Sequence, residues 1–342
     1  MGCTTSKDGS RPVVSPEGHA KPLNEQNNML ISRILDYQKQ SREYLNDLML
    51  EPRSLVPEEL RFGYISTNTF FNMFHAGFCG PYIANPKYML LVDFRSLEEF
   101  EESHVHSAMH FTAIPWDAVT FFDFASYSLI VFYDFDGTAA ANIFSVLFRA
   151  RQRLKKMRID VLVVLGGLKN LNRRFPHLIY RGNEPGNRVI PWMPTLIKNE
   201  QVFLGRHEQS EEKTVIKGLG ITHVLSIGRS PENCFHGVLY HGLDGETDLE
   251  ETFRTSFKLI SDVVNEGGRV LVHGVDGLNR SAAVIIAYLM KSHPALLEEA
   301  FFYVQTLRPF VRMDQGCVEA LMRYERELFG YSITDLDEML WI

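Results

Sequence analysis

Short apolar runs alternate with helical patterns over most of the chain. Met89–Asp93 and Leu129–Tyr133 are short, largely apolar runs of β type. Between and after them, Ile65-Ser66-Thr67 can cap a helix carrying Phe70, Phe71 and Phe74, and Ala139–Met157 has helical spacing. Ile159–Leu165 is a further strand pattern that stops at Gly166-Gly167. A stretch rich in Gly, Asn and Pro, 182–194, interrupts the pattern and reads as a linker. Beyond it the alternation resumes, with strands at Gln201–Leu204, Val224–Ile227 and Val270–Val272. Helices are predicted from Asp248 to Asn265, from Ser281 and from Glu298. Such alternation predicts an α/β class in which mostly parallel sheets are covered by helices.

The N-terminal part is patterned differently. Residues 1–23 lack hydrophobic periodicity and read as a disordered tail, whereas Leu30, Ile31, Ile34, Leu35, Leu45, Leu48 and Met49 give 24–50 the spacing of an amphipathic helix. That helix can pack on a neighbouring domain, bind a partner or lie on a membrane. The length, 342 residues, suits two domains, and a net charge of −7 provides no general field for nucleic acid. The four cysteines, Cys3, Cys79, Cys234 and Cys317, are widely scattered, which fits a reducing compartment better than a disulfide framework. The longest apolar runs, Val161–Leu165 and Ala282–Met290, fall short of the ~20 residues a spanning helix needs. Without a secretory signal pattern, a cytoplasmic location is expected.

Chemistry concentrates in Arg269–Ser281. A buried-type strand ends at His273, a loop follows through Gly274, Val275, Asp276, Gly277, Leu278, Asn279 and Arg280, and a helix starts at Ser281. Strand, tight loop and helix N-terminus together turn backbone N–H groups toward an anion, and a guanidinium at the loop's end can chelate two phosphate oxygens. Residues 273–281 are therefore the candidate phosphate-binding set. The other reading of the loop is a packing element whose Arg280 is satisfied by internal carboxylates.

This segment resembles the signature of the dual-specificity phosphatases: His-Cys, five residues, then Arg and Ser or Thr. His273, Gly277, Arg280 and Ser281 match it, and Gly274 stands where the family has its cysteine. The likeness covers about 195–330, including Val202-Phe203-Leu204-Gly205, Ile221–Leu225, Arg308-Pro309 and the closing helix around Leu321–Tyr324. It implies a phosphatase-like domain without the nucleophile, and no cofactor. Asp244 falls near the family's general-acid position, where it is a vestigial acid or simply a turn carboxylate. Asp276 brings a negative charge into the loop.

Upstream, Leu91-Val92-Asp93-Phe94-Arg95, Glu99-Phe100, His104-Val105 and Gly166-Gly167 resemble a rhodanese domain over 64–181. The likeness implies an internal Asp93–Arg95 pair. Sulfur transfer needs a cysteine after the strand Leu129–Tyr133, but Asp134-Phe135-Asp136-Gly137 follows it, so no sulfurtransferase activity is expected. Rhodanese-like domains of MAP-kinase phosphatases dock the kinase through a basic cluster. The corresponding stretch, Ser107–Val119, has no Lys or Arg, and the basic residues Arg149, Arg151, Arg153, Lys155, Lys156 and Arg158 read as a solvated helix face. His104, His106 and His110 lack the spacing that completes a metal site, so none is assigned. The paired domains resemble the serine/threonine/tyrosine-interacting-like pseudophosphatases; residues 331–342 form a tail.

Met1-Gly2-Cys3-Thr4-Thr5-Ser6 has the pattern of an N-myristoylation site, with Cys3 placed for a palmitoyl chain. The expected partners are phosphorylated or signalling proteins, with a membrane as a further partner through the N-terminal lipid. Three functions are open at this level: a catalytically inactive phosphoprotein-binding or scaffolding module, a weak phosphatase with another nucleophile, and a purely structural adaptor.

Overall fold

The computed structural model describes residues 63–75, 87–116, 123–182, 192–228, 235–243, 248–308, 310–332 and 334. The tail 1–23, the helix 24–50, Gly2, Cys3, Asp244, most of the linker and most of 331–342 lie outside the described residues.

The first sheet has the order β1-β6-β5-β2-β4 and is parallel throughout: β1 is Tyr64–Ile65, β2 Met89–Asp93, β4 Met109–His110, β5 Leu129–Tyr133 and β6 Leu162–Val164. Its helices are α1 (Thr67–His75), α2 (Leu97–Glu102), α3 (Val146–Lys156) and α4 (Gly167–Arg174). A two-stranded antiparallel ladder, β3 (Ser103–Val105) with β7 (Ile179–Arg181), sits beside it. The second sheet, β11-β10-β12-β9-β8, is parallel except where β8 (Thr195–Lys198) runs against β9 (Val202–Gly205). Its other strands are β10 (His223–Ile227), β11 (Leu239–Leu243) and β12 (Val270–His273). Around it lie α5 (His207–Glu211), α6 (Lys213–Leu219), α7 (Leu249–Asn265), α8 (Arg280–Ser292), α9 (Leu297–Leu307) and α10 (Gln315–Phe329). The fold is therefore α/β with mostly parallel sheets, as the pattern predicted. Residues 281–290 of α8 are buried on every side, which makes it the central helix of this half.

Two elements depart from the sequence pattern. Ala139–Met157 is not one helix: Ala139–Ala141 is a single 3-10 turn, and α3 starts only after Ser145, whose hydroxyl accepts the Phe148 N–H. Asn142 Oδ1 also accepts the Phe144 N–H, so two polar side chains compete with helix propagation through the gap. The strand expected at Ile159–Leu165 is only Leu162–Val164, which pairs with β1 through Val163 and Val164 and with β5 through Leu162 and Val163.

The two halves share a core. Phe71 and Phe175 of the first half stack at 4.4 Å and pack in one cluster with Leu196, Phe203, Val215, Ile216 and Leu271 of the second. Met193, in the stretch expected to be a linker, is fully buried in that cluster. Asn72 of α1 binds both backbone groups of Leu196: its Nδ2 donates to the carbonyl at 2.9 Å and its Oδ1 accepts the amide at 2.8 Å. Arg174 reaches Glu200 at 3.1 Å. At about 1.5–3 kcal/mol per fully buried large apolar side chain, the shared cluster outweighs these polar contacts.

Candidate functional site

The carboxyl ends of β10, β12 and β9 lie side by side, and the loop 274–280 rises from the middle strand into the N-terminus of α8. Its carbonyls are fastened from outside, one after another. Gly274 O accepts from His273 Nδ1 at 3.2 Å and Val275 O from the His207 amide at 3.4 Å. Asp276 O and Gly277 O accept from Arg308 Nη2 and Nε at 3.1 and 2.9 Å, and Leu278 O from the Arg312 amide at 3.0 Å. Because the peptide unit is planar and trans, holding these oxygens outward turns the following N–H groups the other way. One of them is used internally, since Leu278 N–H donates to Asp276 Oδ1 at 2.9 Å. Asp276 thus acts as a brace within the loop.

Arg308 is the main fastener. Only 1% exposed, it also donates from Nη1 to Thr195 Oγ1 at 3.1 Å; burial lowers its pKa to about 10, which leaves it charged at neutral pH. Gly277 has φ +71°, and a Cβ there would stand 2.3 Å from Gly205 O, so only glycine lets the loop lie this close to β9. Asn279 is clamped to Asp314, its Nδ2 donating to Oδ2 at 2.6 Å and its Oδ1 accepting the Asp314 amide at 3.1 Å. That clamp, with the Cys317 amide and the field of Arg280, holds the Asp314 carboxyl below the usual range. Arg280 therefore has a carboxylate in its neighbourhood, although hydrogen bonds from Asn279 and Cys317 already engage both Asp314 oxygens.

The loop encloses a pocket of about 220 Å³ lined by Ile227, Gly228, Gly274, Val275, Asp276, Asn279, Arg280 and Ser281. Gly274 forms part of its lining, and a Cβ on it would lie 3.1 Å from Ser281 Oγ. The Ser281 residue is 1% exposed and its hydroxyl has no hydrogen-bond partner. Of the expected set 273–281, Gly274, Val275, Asp276, Asn279, Arg280 and Ser281 line this pocket, whereas His273, Gly277 and Leu278 do not. The sequence reading did not supply His207, Arg312 and the Asn279–Asp314 clamp, and it had Arg308 only as part of a motif. Their loop partners are more than 30 residues away in the chain, with no local spacing to signal them. Among the described residues the one free cysteine, Cys317, is buried, and burial pushes its thiol up to about 12.

The other half holds a second loop of related design, 134–139, at the end of β5. Here Asp134 is buried, and its carboxylate accepts the Gly137 and Ala139 N–H groups at 2.5 and 2.6 Å. Gly167 follows at close quarters, a Cβ there standing 2.5 Å from Asp134 O. The expected Asp93–Arg95 pair forms at 2.7 Å with both side chains buried. His104 Nδ1 donates to Phe100 O at 2.7 Å, while His110 uses one ring nitrogen on Arg95 O and the other on Thr112. No three His, Cys, Asp or Glu side chains come together as metal ligands among the described residues. No described helix is long and apolar enough to cross a membrane.

The dual specificity phosphatase catalytic domain family matches residues 202–327. Dual specificity protein phosphatase 1 of Arabidopsis thaliana is 30% identical over 141 residues, 40% of this chain and 71% of that protein. The protein-tyrosine-phosphatase IBR5 of the same organism is 32% identical over 138 residues, 40% of this chain; the chain spans only 53% of its length. A probable rhodanese domain-containing dual specificity protein phosphatase of Dictyostelium discoideum is 26% identical over 185 residues, 51% of this chain and 39% of its own. That share is longer than the stretch from 195 to 342, so the likeness runs into the first half. Among solved structures, the human tyrosine phosphatase-like serine/threonine/tyrosine-interacting protein is 29% identical with a TM-score of 0.37, covering 40% of this chain and 97% of its own.

Proposed function

The chain belongs to the dual-specificity phosphatase family, and from that premise we propose that it is a pseudophosphatase: a module of phosphorylation signalling that holds a phosphorylated side chain without hydrolysing it. The finer likeness is to the serine/threonine/tyrosine-interacting-like pseudophosphatases, with an inactive rhodanese-like domain ahead of the phosphatase-like one. One observation carries the reading. At Gly274 only a hydrogen stands where the family's thiolate would attack, while the Ser281 hydroxyl facing that place is buried and unpartnered. A hydroxyl taken from water without a partner costs about 1–3 kcal/mol, and a phosphate oxygen in the pocket supplies the acceptor. Loop amides and Arg280 complete a set of donors suited to an oxyanion.

The family's covalent step needs a thiolate on phosphorus, and losing a nucleophile of this kind costs about 10⁶-fold in turnover. Cys317 is no substitute, since a thiol with pKa about 12 is protonated at neutral pH. Ser281 has no base within hydrogen-bond reach among the described residues.

The test uses the full chain. Phosphotyrosine and phosphothreonine peptides should bind the wild type, and Arg280→Ala should bind them at least 10-fold more weakly, the loss of a charge-assisted pair. Equal binding by both proteins rejects a phosphate-reading role and leaves the adaptor reading. On a small aryl phosphate, turnover should appear in Gly274→Cys and be at background in wild type. Comparable wild-type turnover that disappears in Arg280→Ala establishes a non-standard nucleophile and overturns the proposal.

A further inference from the structure

One surface outside the pocket combines two features that rarely coincide on a solvated helix. Helix α3 turns Leu147, Ala150 and Leu154 into the core, and Val146, Arg149, Arg153 and Lys156 recur at helical spacing on a stripe facing solvent. Gln152 and Lys155 widen that exposed face. From 142 to 158 there are six Lys and Arg and no Asp or Glu, in a chain whose net charge is −7. At the N-terminal end of the stripe, Ile143 is 60% exposed, Phe144 82% and Val146 40%, and at the other end Met157 is 43% exposed. A basic face flanked by protruding apolar side chains suits an interface where an anionic plane overlies an apolar layer.

The course of the chain gives an independent observation. The described residues begin at Gly63 and Tyr64, and both lie against α3: the Arg151 guanidinium sits over the Tyr64 ring at 4.9 Å, and a Cβ on Gly63 would stand 2.6 Å from its Nη2. Gly63 and Tyr64, which follow the segment bearing Gly2 and Cys3 in the chain, are thus on the flank of the same helix.

We propose that α3 and the Ile143–Val146 segment form a membrane-docking face that binds anionic phospholipid headgroups, with Phe144 entering the acyl boundary. The face would act with the N-terminal acyl chain, because one myristoyl chain holds only marginally and a basic patch supplies the second attachment. Each basic side chain near an anionic surface contributes about fivefold in partition, so three together amount to about 100-fold. The proposal is independent of the phosphate pocket.

The experiment is vesicle sedimentation of the full chain made without acyl groups. Vesicles of phosphatidylcholine alone are compared with vesicles containing phosphatidylserine. Wild type should sediment with the anionic vesicles only and be released by raised salt. Arg149→Glu/Arg153→Glu/Lys156→Glu should lose this binding by 100-fold or more, and Phe144→Ser should lose a smaller part. The charge-matched control Lys213→Glu/Lys217→Glu/Lys258→Glu, at exposed positions of the other half, should bind like wild type. The substituted side chains Phe144, Arg149, Arg153 and Lys156 are all exposed, so a thermal melt should show the variants folded. Failure of wild type to bind anionic vesicles overturns the proposal and points the face at an acidic protein. Equal loss in both triple variants overturns it as an effect of net charge alone.

Discussion

The two halves place a loop at the carboxyl end of a parallel strand, and the two loops have opposite fates. At 134–139 the chain fills its own cradle: Asp134 turns its carboxylate onto the Gly137 and Ala139 N–H groups. At 274–280 side chains and amides from elsewhere bind the carbonyls from outside, and the residue at the floor has no side chain with which to fill the space. A cradle closed by its own anion is a structural joint. One braced from behind and left open is suited to a visiting anion. The corresponding position at the end of each strand holds aspartate in one loop and glycine in the other, and the second loop has in addition the outside donors of Arg308, Arg312 and His207.

Removing the brace should have the largest effect. Arg308→Met leaves Gly277 O, Asp276 O and Thr195 Oγ1 without their donor, and stability measured by denaturant titration should fall by about 3 kcal/mol or more, with phosphopeptide binding lost alongside. A variant that unfolds at the wild-type midpoint would mean that the loop is held by something else. Emptying the closed cradle should come next. Asp134→Ala leaves two partly buried N–H groups without their acceptor, costing about 2 kcal/mol, and should make sulfate raise the melting temperature of the variant more than that of wild type. If sulfate stabilises both equally, the contrast between the loops is lost.

The pH dependence should be smaller and opposite in sign at the two sites. Burial raises the pKa of Asp134, so the folded state binds its proton more tightly than the unfolded chain does. Its contribution to stability therefore falls as pH rises from about 4 through the raised value. Asp314 is held low by Asn279 first, so its contribution is present above about pH 4 and disappears as pH falls through the lowered value. Difference curves of wild type against Asp134→Asn and against Asp314→Asn should slope in opposite directions across the acid range, and parallel curves would contradict these environments.

What the sequence shows about these loops follows from locality. Met89–Asp93 and Leu129–Tyr133 emerge with their observed bounds because a strand buried on both faces reads as a nearly continuous apolar run, broken in the first only at its last residue, Asp93. Residues 273–281 emerge because strand, loop and helix are consecutive. The split of 139–157 escapes the pattern, since the 3-10 turn and the Ser145 cap depend on side-chain hydrogen bonds that hydrophobic periodicity does not see. Arg308 and Asp314 escape it as well, because their work lies across loops that sequence spacing cannot close. Asn72 is the plainest case: one amide in the first half completes a strand in the second, 124 residues away.

That amide has a consequence for assembly. Strand β8 ends its sheet, and an uncovered end strand offers a row of donors and acceptors to any other chain. By occupying both backbone groups of Leu196, Asn72 removes the central rung of that template. Extension of the sheet by a strand from another molecule is thereby blocked on this side, and polymer growth or domain exchange through the second sheet would have to start from β11 instead.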